Sequence, residues 1–226
     1  MLGKSANQVP VFHHLPKCGG TSVLKMLSGW FKLVHDYRQD WTNSYQDRQN
    51  LDYLTPGHCL CGHFELDGYH LAQRYPGMLE NPGFWVFSFI RDPLEVKMSL
   101  FRYETKNNVN KPRTIEKHLS TRKNYLAGIL GVGWDDYRII LDKYAFIGVL
   151  EESALSIEML ASLLKKNKTE LPWENKTIGD KNHSQEALTN LIVQQFKEEN
   201  SLDYAIYNYA VERFKILSEA YNNHRY

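Results

Sequence analysis

Cysteine is scarce in this chain: 226 residues hold three, Cys18, Cys59 and Cys61. An odd number, two of them a single residue apart, does not build the disulfide framework of a small secreted domain, and a reducing compartment fits best. Long apolar runs are missing as well. Nothing approaches the roughly eighteen uninterrupted apolar residues of a membrane helix, and no signal-peptide core opens the chain, so a soluble protein is expected. Excess charge is absent: 27 Lys and Arg against 26 Asp and Glu leave +1. That excludes a nonspecific polyanion binder, and any anion must be met by a local patch. Neither repeats nor low-complexity tracts occur. Two common nucleotide signatures are also lacking, the G-x-x-x-x-G-K-[ST] of NTP-binding loops and the G-x-G-x-x-G of dinucleotide sites.

What is present starts with the run Val11 to Ser22: an apolar strand, a loop with Pro16, Lys17, Cys18, Gly19 and Gly20, then Thr21 and Ser22 opening a helix. Glycines let the backbone turn sharply with its N–H groups exposed, and a helix start adds orphan amides and a positive dipole end. An anionic group is expected there. Roughly seventy residues on, Phe84 to Ile90 reads as a buried strand that stops at Arg91-Asp92-Pro93. Asp92 suits an N-cap, Pro93 the first helical position and Glu95 the third, with Val96, Leu100 and Tyr103 on one helical face. Arg91 at the strand end offers a planar fork of donors for phosphate oxygens, and Ser99, about two turns later, offers a hydroxyl.

His14-Leu15-Pro16-Lys17-Cys18-Gly19-Gly20-Thr21-Ser22 resembles the H-x-P-K-T-G-G-T-S signature of sulfotransferases that use 3′-phosphoadenosine 5′-phosphosulfate (PAPS), the carbohydrate (heparan and chondroitin-type) family 2 in particular. The Arg91 segment resembles the same family's R-D-P-x-x-R-x-x-S motif. The resemblance implies that Pro16, Lys17, Cys18, Gly19, Gly20, Thr21 and Ser22 hold the 5′-phosphosulfate, that Arg91 and Ser99 hold the 3′-phosphate, and that 3′-phosphoadenosine 5′-phosphate (PAP) is left as product. Two positions depart from the pattern: Cys18 stands where the family usually has Thr, and Val96 replaces the second arginine, with Lys97 one residue later. Further along, Tyr144 to Glu152 looks like the family's late strand with its acidic exit. Leu155 to Leu164 has helical spacing, and Leu202-Asp203-Tyr204-Ala205-Ile206-Tyr207 resembles the D-Y-x-[IL]-Y start of the last helix.

Apolar strands alternating with helices predict an α/β fold with a central, mainly parallel sheet whose ligands bind at the strands' carboxyl ends. The resemblance implies the same architecture, a three-layer P-loop-like fold. With 42% hydrophobic and 23% charged residues, residues 1–226 suit a single domain. The stretch from Lys32 to Asn81, interrupted by Trp41, Tyr45, Pro56 and Pro76, is the least regular and is expected to carry acceptor specificity.

Moving a sulfuryl group to a hydroxyl needs a base for the hydroxyl proton and a positive charge for the departing oxygen. Lys17 is the candidate for the charge. His63, in Cys59-Leu60-Cys61-Gly62-His63-Phe64, leads as base, and its G-H segment looks similar to the one that supplies the base in carbohydrate sulfotransferases. His14 competes for the role or orients the loop; Glu65 and Asp67 are further alternatives, and His13 reads as structural. A zinc reading of His58, Cys59, Cys61 and His63 is disfavoured, because zinc sites use C-x₂₋₄-C and H-x₃₋₅-H spacings, so no metal is expected.

The resemblance suggests a saccharide acceptor, for which Trp30, Trp41, Tyr45 and Tyr69 could stack on sugar rings. Lys106, Lys111, Arg113, Lys117, Arg122 and Lys123 could form a basic acceptor patch or simply a solvated helix face. N-x-[ST] sequons at Asn167, Asn175 and Asn182 are too short a pattern to decide the compartment. A cytoplasmic, bacterial-type enzyme or the excised catalytic domain of a Golgi enzyme is expected. The other readings are a kinase or NTPase and a non-catalytic PAP-binding module.

Overall fold

The computed structural model describes residues 3–38, 47–64, 70–109, 114–167 and 188–223. Five strands, β1 (Val9–His13), β2 (Lys32–Asp36), β3 (His58–Gly62), β4 (Phe84–Ile90) and β5 (Phe146–Val149), form one sheet in the order β2-β3-β1-β4-β5. Every pairing is parallel. The helices between and after them are α1 (Gly20–Ser28), α2 (Leu71–Arg74), α3 (Pro93–Lys106), α4 (Ile115–Leu119), α5 (Tyr125–Leu130), α6 (Tyr137–Asp142), α7 (Ser153–Leu163), α8 (Asn190–Glu199) and α9 (Ser201–Asn223). This is the expected α/β architecture, a parallel sheet flanked by helices.

Apolar content explains which strands lie inside. All five residues of β1 are buried, and β4 is buried from its second residue onward, as a parallel sheet covered on both faces requires. Phe12 stacks on Phe87 at 5.3 Å between ring centroids, and Phe89 meets Phe146 edge-on at 6.2 Å. Helices α7 and α9 both pack against β5. Ile115, Leu119 and Phe196 form a second, smaller cluster beneath Leu94, Met98 and Phe101 of α3.

The stretch from Lys32 to Asn81 proves more regular than its composition suggests, since it contributes β2, β3 and α2. The edge strand β2 hides its signal because only Asp36 of its five residues is fully buried, so no apolar run marks it. Asp36 itself is held by Arg74, whose Nε and Nη2 lie 2.6 and 2.7 Å from its carboxylate, and by the Tyr75 hydroxyl at 2.7 Å.

Sheet order fixes the site. The chain runs from β1 to one side through β2 and β3, then crosses to the other side for β4, so the carboxyl end of β1 lies where the strand order reverses. Crevices in parallel sheets open at that point. In register, His13 pairs with both Gly62 and Ser88. The segments that follow β1, β3 and β4 therefore leave the sheet along one edge. Among the described residues no helix is long and apolar enough to cross a membrane.

Candidate functional site

The loop from β1 into α1 alternates its backbone hand. Lys17 has φ 65 and Gly19 φ 80, both left-handed, on either side of Cys18. Such alternation curls consecutive N–H groups into an anion-binding concavity. A side chain at Gly19 would meet Leu150 Cδ1 at 2.6 Å, and one at Gly20 would collide with the His14 imidazole. A Cβ at either position would force a neighbouring side chain to shift, and the left-handed backbone at Gly19 favours glycine as well. The N–H groups of Gly19, Gly20, Thr21 and Ser22 find no acceptor among the described residues, and the first turn of α1 carries no acidic side chain. Four amides and a helix's positive end are left facing outward, a cradle for an anion.

Lys17 rises from this loop with its Nζ 4.3 Å above the Tyr103 ring. Burial lowers its pKa from the usual lysine value, and the positive charges of Arg91 and Arg102 lower it further. Cys18 is buried beneath the loop, where desolvation raises its thiol to about 12; it packs, and is no nucleophile.

At the end of β4 the local signals act as expected. The Asp92 carboxylate accepts from the Glu95 N–H at 3.1 Å and caps α3. Arg91, half-buried, donates through Nη2 to Glu95 Oε2 at 2.9 Å. Ser99 is half-buried two turns along α3. Val96 and Leu100 face the core, but Tyr103 does not complete their apolar face: it is 37% exposed, beneath Lys17. Lys97 turns away into a buried pocket, its Nζ donating to the Thr121 carbonyl at 2.7 Å, and burial lowers its pKa to about 8. Neither Val96 nor Lys97 supplies a second cation beside Arg91.

Three histidines interlock where β1 and β3 end. His63 Nδ1 lies 2.6 Å from the His14 carbonyl. A carbonyl can only accept, so Nδ1 carries the proton and the Nε2 lone pair is the basic site of the neutral ring. No hydrogen bond engages that Nε2 among the described residues. Burial lowers the His63 pKa, its bond to the His14 carbonyl opposes this, and the Arg38 charge lowers it further. His14 lies 4.3 Å from His63, ring to ring, and its Nδ1 is 3.0 Å from the Tyr37 hydroxyl. His13 is fully enclosed, with Nε2 donating to the His63 carbonyl at 3.1 Å and Nδ1 accepting from Tyr144 at 2.7 Å. Burial drives its pKa down to about 3. It is a strut of the sheet edge, as read from its place in the strand.

One edge of the sheet thus collects Lys17, Gly19, Gly20, Thr21, Ser22 and Arg91, with His14 and His63 beside them. The zinc set is pulled apart instead. His58 starts β3, where Nδ1 accepts from the Thr55 N–H at 3.1 Å, while His63 follows its far end, roughly 16 Å away at 3.3 Å per residue. Cys59 and Cys61 are buried, free thiols 3.6 Å apart. Trp30 is partly buried and packs against the hydrophobic core. In the basic stretch, Arg122 lies 3.5 Å from Glu104 and Lys123 lies 3.3 Å from Glu199. Trp41, Tyr45, Glu65, Asp67, Tyr69, Lys111, Arg113, Asn175 and Asn182 lie outside the described residues. Tyr37, Arg38 and Arg102 reach this edge without having been singled out, and Tyr103 and Tyr144, read only as parts of a helical face and a late strand, reach it too. Arg102 and Tyr103 carried a usable signal, since they lie one turn beyond Ser99 on the same helix.

No protein-family model and no curated protein matches the chain in sequence. Among solved structures it is similar to a sulfotransferase from Alicyclobacillus acidocaldarius, with a TM-score of 0.53 and 13% identity over 89% of this chain and 94% of that one. It is also similar to mouse sulfotransferase SULT7A1 complexed with PAP, with a TM-score of 0.48 and 10% identity over 75% of this chain and 62% of that one. The first likeness, at this identity, shows a shared fold: the parallel sheet with its helices is built as in that sulfotransferase.

Proposed function

We propose that this chain is a PAPS-dependent sulfotransferase that sulfates a hydroxyl of a saccharide acceptor. The observation that carries the reading is the meeting, on one sheet edge, of an amide cradle, two cations and a histidine whose basic nitrogen is left open. The cradle fits an anionic phosphate end: its amides lack acceptors among the described residues, and the space a Cβ would need at Gly19 or Gly20 is taken by Leu150 and His14. When bound, PAPS supplies the sulfuryl group and leaves as PAP.

The chain's own residues divide the work. The amides of Gly19, Gly20, Thr21 and Ser22 bind the 5′ end, with the Thr21 and Ser22 hydroxyls beside them and Pro16 and Cys18 shaping the turn. Lys17 places a positive charge where the leaving oxygen gains negative charge. Arg91 and Ser99 take the 3′-phosphate, for which Arg91 exchanges or shares its exposed Glu95 partner. His63 Nε2 accepts the acceptor hydroxyl's proton. His14 holds His63 through its carbonyl and closes over Gly20.

Calorimetric titration with PAP, beside ATP plus magnesium and repeated on Arg91→Ala, tests the reading. Selective PAP binding that weakens at least tenfold in the variant, the loss of about one charge-assisted contact, is the expected result. Preference for ATP would indicate a phosphoryl-transfer enzyme. Tight PAP binding without turnover on saccharide acceptors, unaltered by His63→Ala, would indicate a binding module.

A further inference from the structure

We propose that Arg102 is a third cationic ligand of the donor nucleotide and grips its 5′-phosphate from the side opposite the loop amides. The inference rests on the PAPS reading above. Glu95, Ser99 and Arg102 recur at intervals of four and three residues, so they share one face of α3. The Arg91 bond to Glu95 and the Tyr103 ring under Lys17 both turn that side of the helix toward the β1–α1 loop. Arg102 is half-buried there, close enough to Lys17 for its charge to act on the ammonium.

Among the described residues no carboxylate pairs with Arg102 and no hydrogen bond engages it. Glu95 is bound to Arg91, and Glu104 lies against Arg122 and His118 in the second cluster. Three cations, Lys17, Arg91 and Arg102, therefore converge on a site where, among the described residues, Glu95 is engaged by Arg91 and Glu151 by the Asp92 N–H. Half-buried like charges repel at this range, and an anion among them relieves the repulsion. A guanidinium can meet a phosphate through two parallel N–H donors, a geometry that a lysine cannot supply. Because the ring of the adjoining Tyr103 lies 4.3 Å from Lys17 Nζ, the turn of α3 that carries Arg102 stands at the 5′ end, distinct from the 3′-phosphate assigned to Arg91 and Ser99.

The experiment is calorimetric titration of the full chain, Arg102→Ala, Arg102→Lys and Arg91→Ala with PAP, adenosine 5′-monophosphate and adenosine 3′-monophosphate. Arg102→Ala is expected to weaken PAP and the 5′-monophosphate by about tenfold or more each, while the 3′-monophosphate changes less than about twofold. Arg102→Lys should recover part of the loss, and unchanged thermal midpoints should show that both variants fold. PAP affinity unaltered by Arg102→Ala but lost in Arg91→Ala would overturn this proposal and leave the PAPS reading standing. A loss confined to the 3′-monophosphate would overturn the assignment to the 5′ end. Absence of PAP binding in the unmodified chain would remove both.

Discussion

In the proposed reaction, His63 illustrates how one backbone oxygen can define a base. The His14 carbonyl holds the proton on Nδ1, and burial keeps the ring neutral by lowering its pKa below the ordinary 6.5. A base of this kind works once deprotonated, so kcat/KM should rise with pH below 6.5 and be level by pH 7 in a pH–rate profile. His63→Ala should cut turnover about a hundredfold or more while leaving PAP affinity within about twofold, by steady-state kinetics beside calorimetry. If His14→Ala abolished turnover and His63→Ala did not, the base would be His14. A loop role for His14 predicts something else, a weaker PAP complex, because its imidazole is the wall above Gly20.

Among the elements, β2 ends on a buried polar anchor. Asp36 is fully buried at its end, where its carboxylate accepts two hydrogen bonds from Arg74 and one from Tyr75. Removing one partner of a buried pair leaves the other charge without compensation. Asp36→Ala should therefore lower stability by about 3 kcal/mol or more in urea unfolding, and loosen the edge that carries Tyr37 and Arg38 toward the histidines. A loss under about 1 kcal/mol would mean that water reaches Arg74 and replaces the carboxylate. The caps and apolar runs of β1, β4 and α3 were legible because each is a local signal. Strand β2 was not, because it carries no apolar run and is held by its pairing with β3 and by Asp36's bonds to Arg74 and Tyr75, nearly forty residues later in the chain.

For the molecule as a whole, buried histidines set the response to acid. His13, His14, His63 and His118 all have folded pKa values below 6.5, chiefly through burial. The unfolded chain takes up protons on these rings as pH falls below 6.5, and the folded chain resists, so stability is present above that pH and declines below it. Each ring contributes a slope of up to about 1.4 kcal/mol per pH unit. His13 contributes down to about pH 3, where its folded form finally protonates. Urea midpoints measured from pH 7 to pH 4 should fall, and His13→Gln should flatten the decline relative to the unmodified chain. Parallel curves would show that His13 is not held neutral.

The sequence by itself determined the two strand-end loops, the glycine turn, the capped helix and the α/β class. Those features depend on neighbours along the chain: a residue's φ preference, an N-cap, an unbroken apolar run. Which strands adjoin, which histidine nitrogen is open, that Lys97 points inward and that the Tyr103 ring lies under Lys17 were decided by the tertiary structure alone. The reason is physical. Sheet order and register bring together residues fifty to a hundred and thirty positions apart, as in His13 with His63 and Tyr144. Burial then fixes protonation and orientation through groups that no local pattern names.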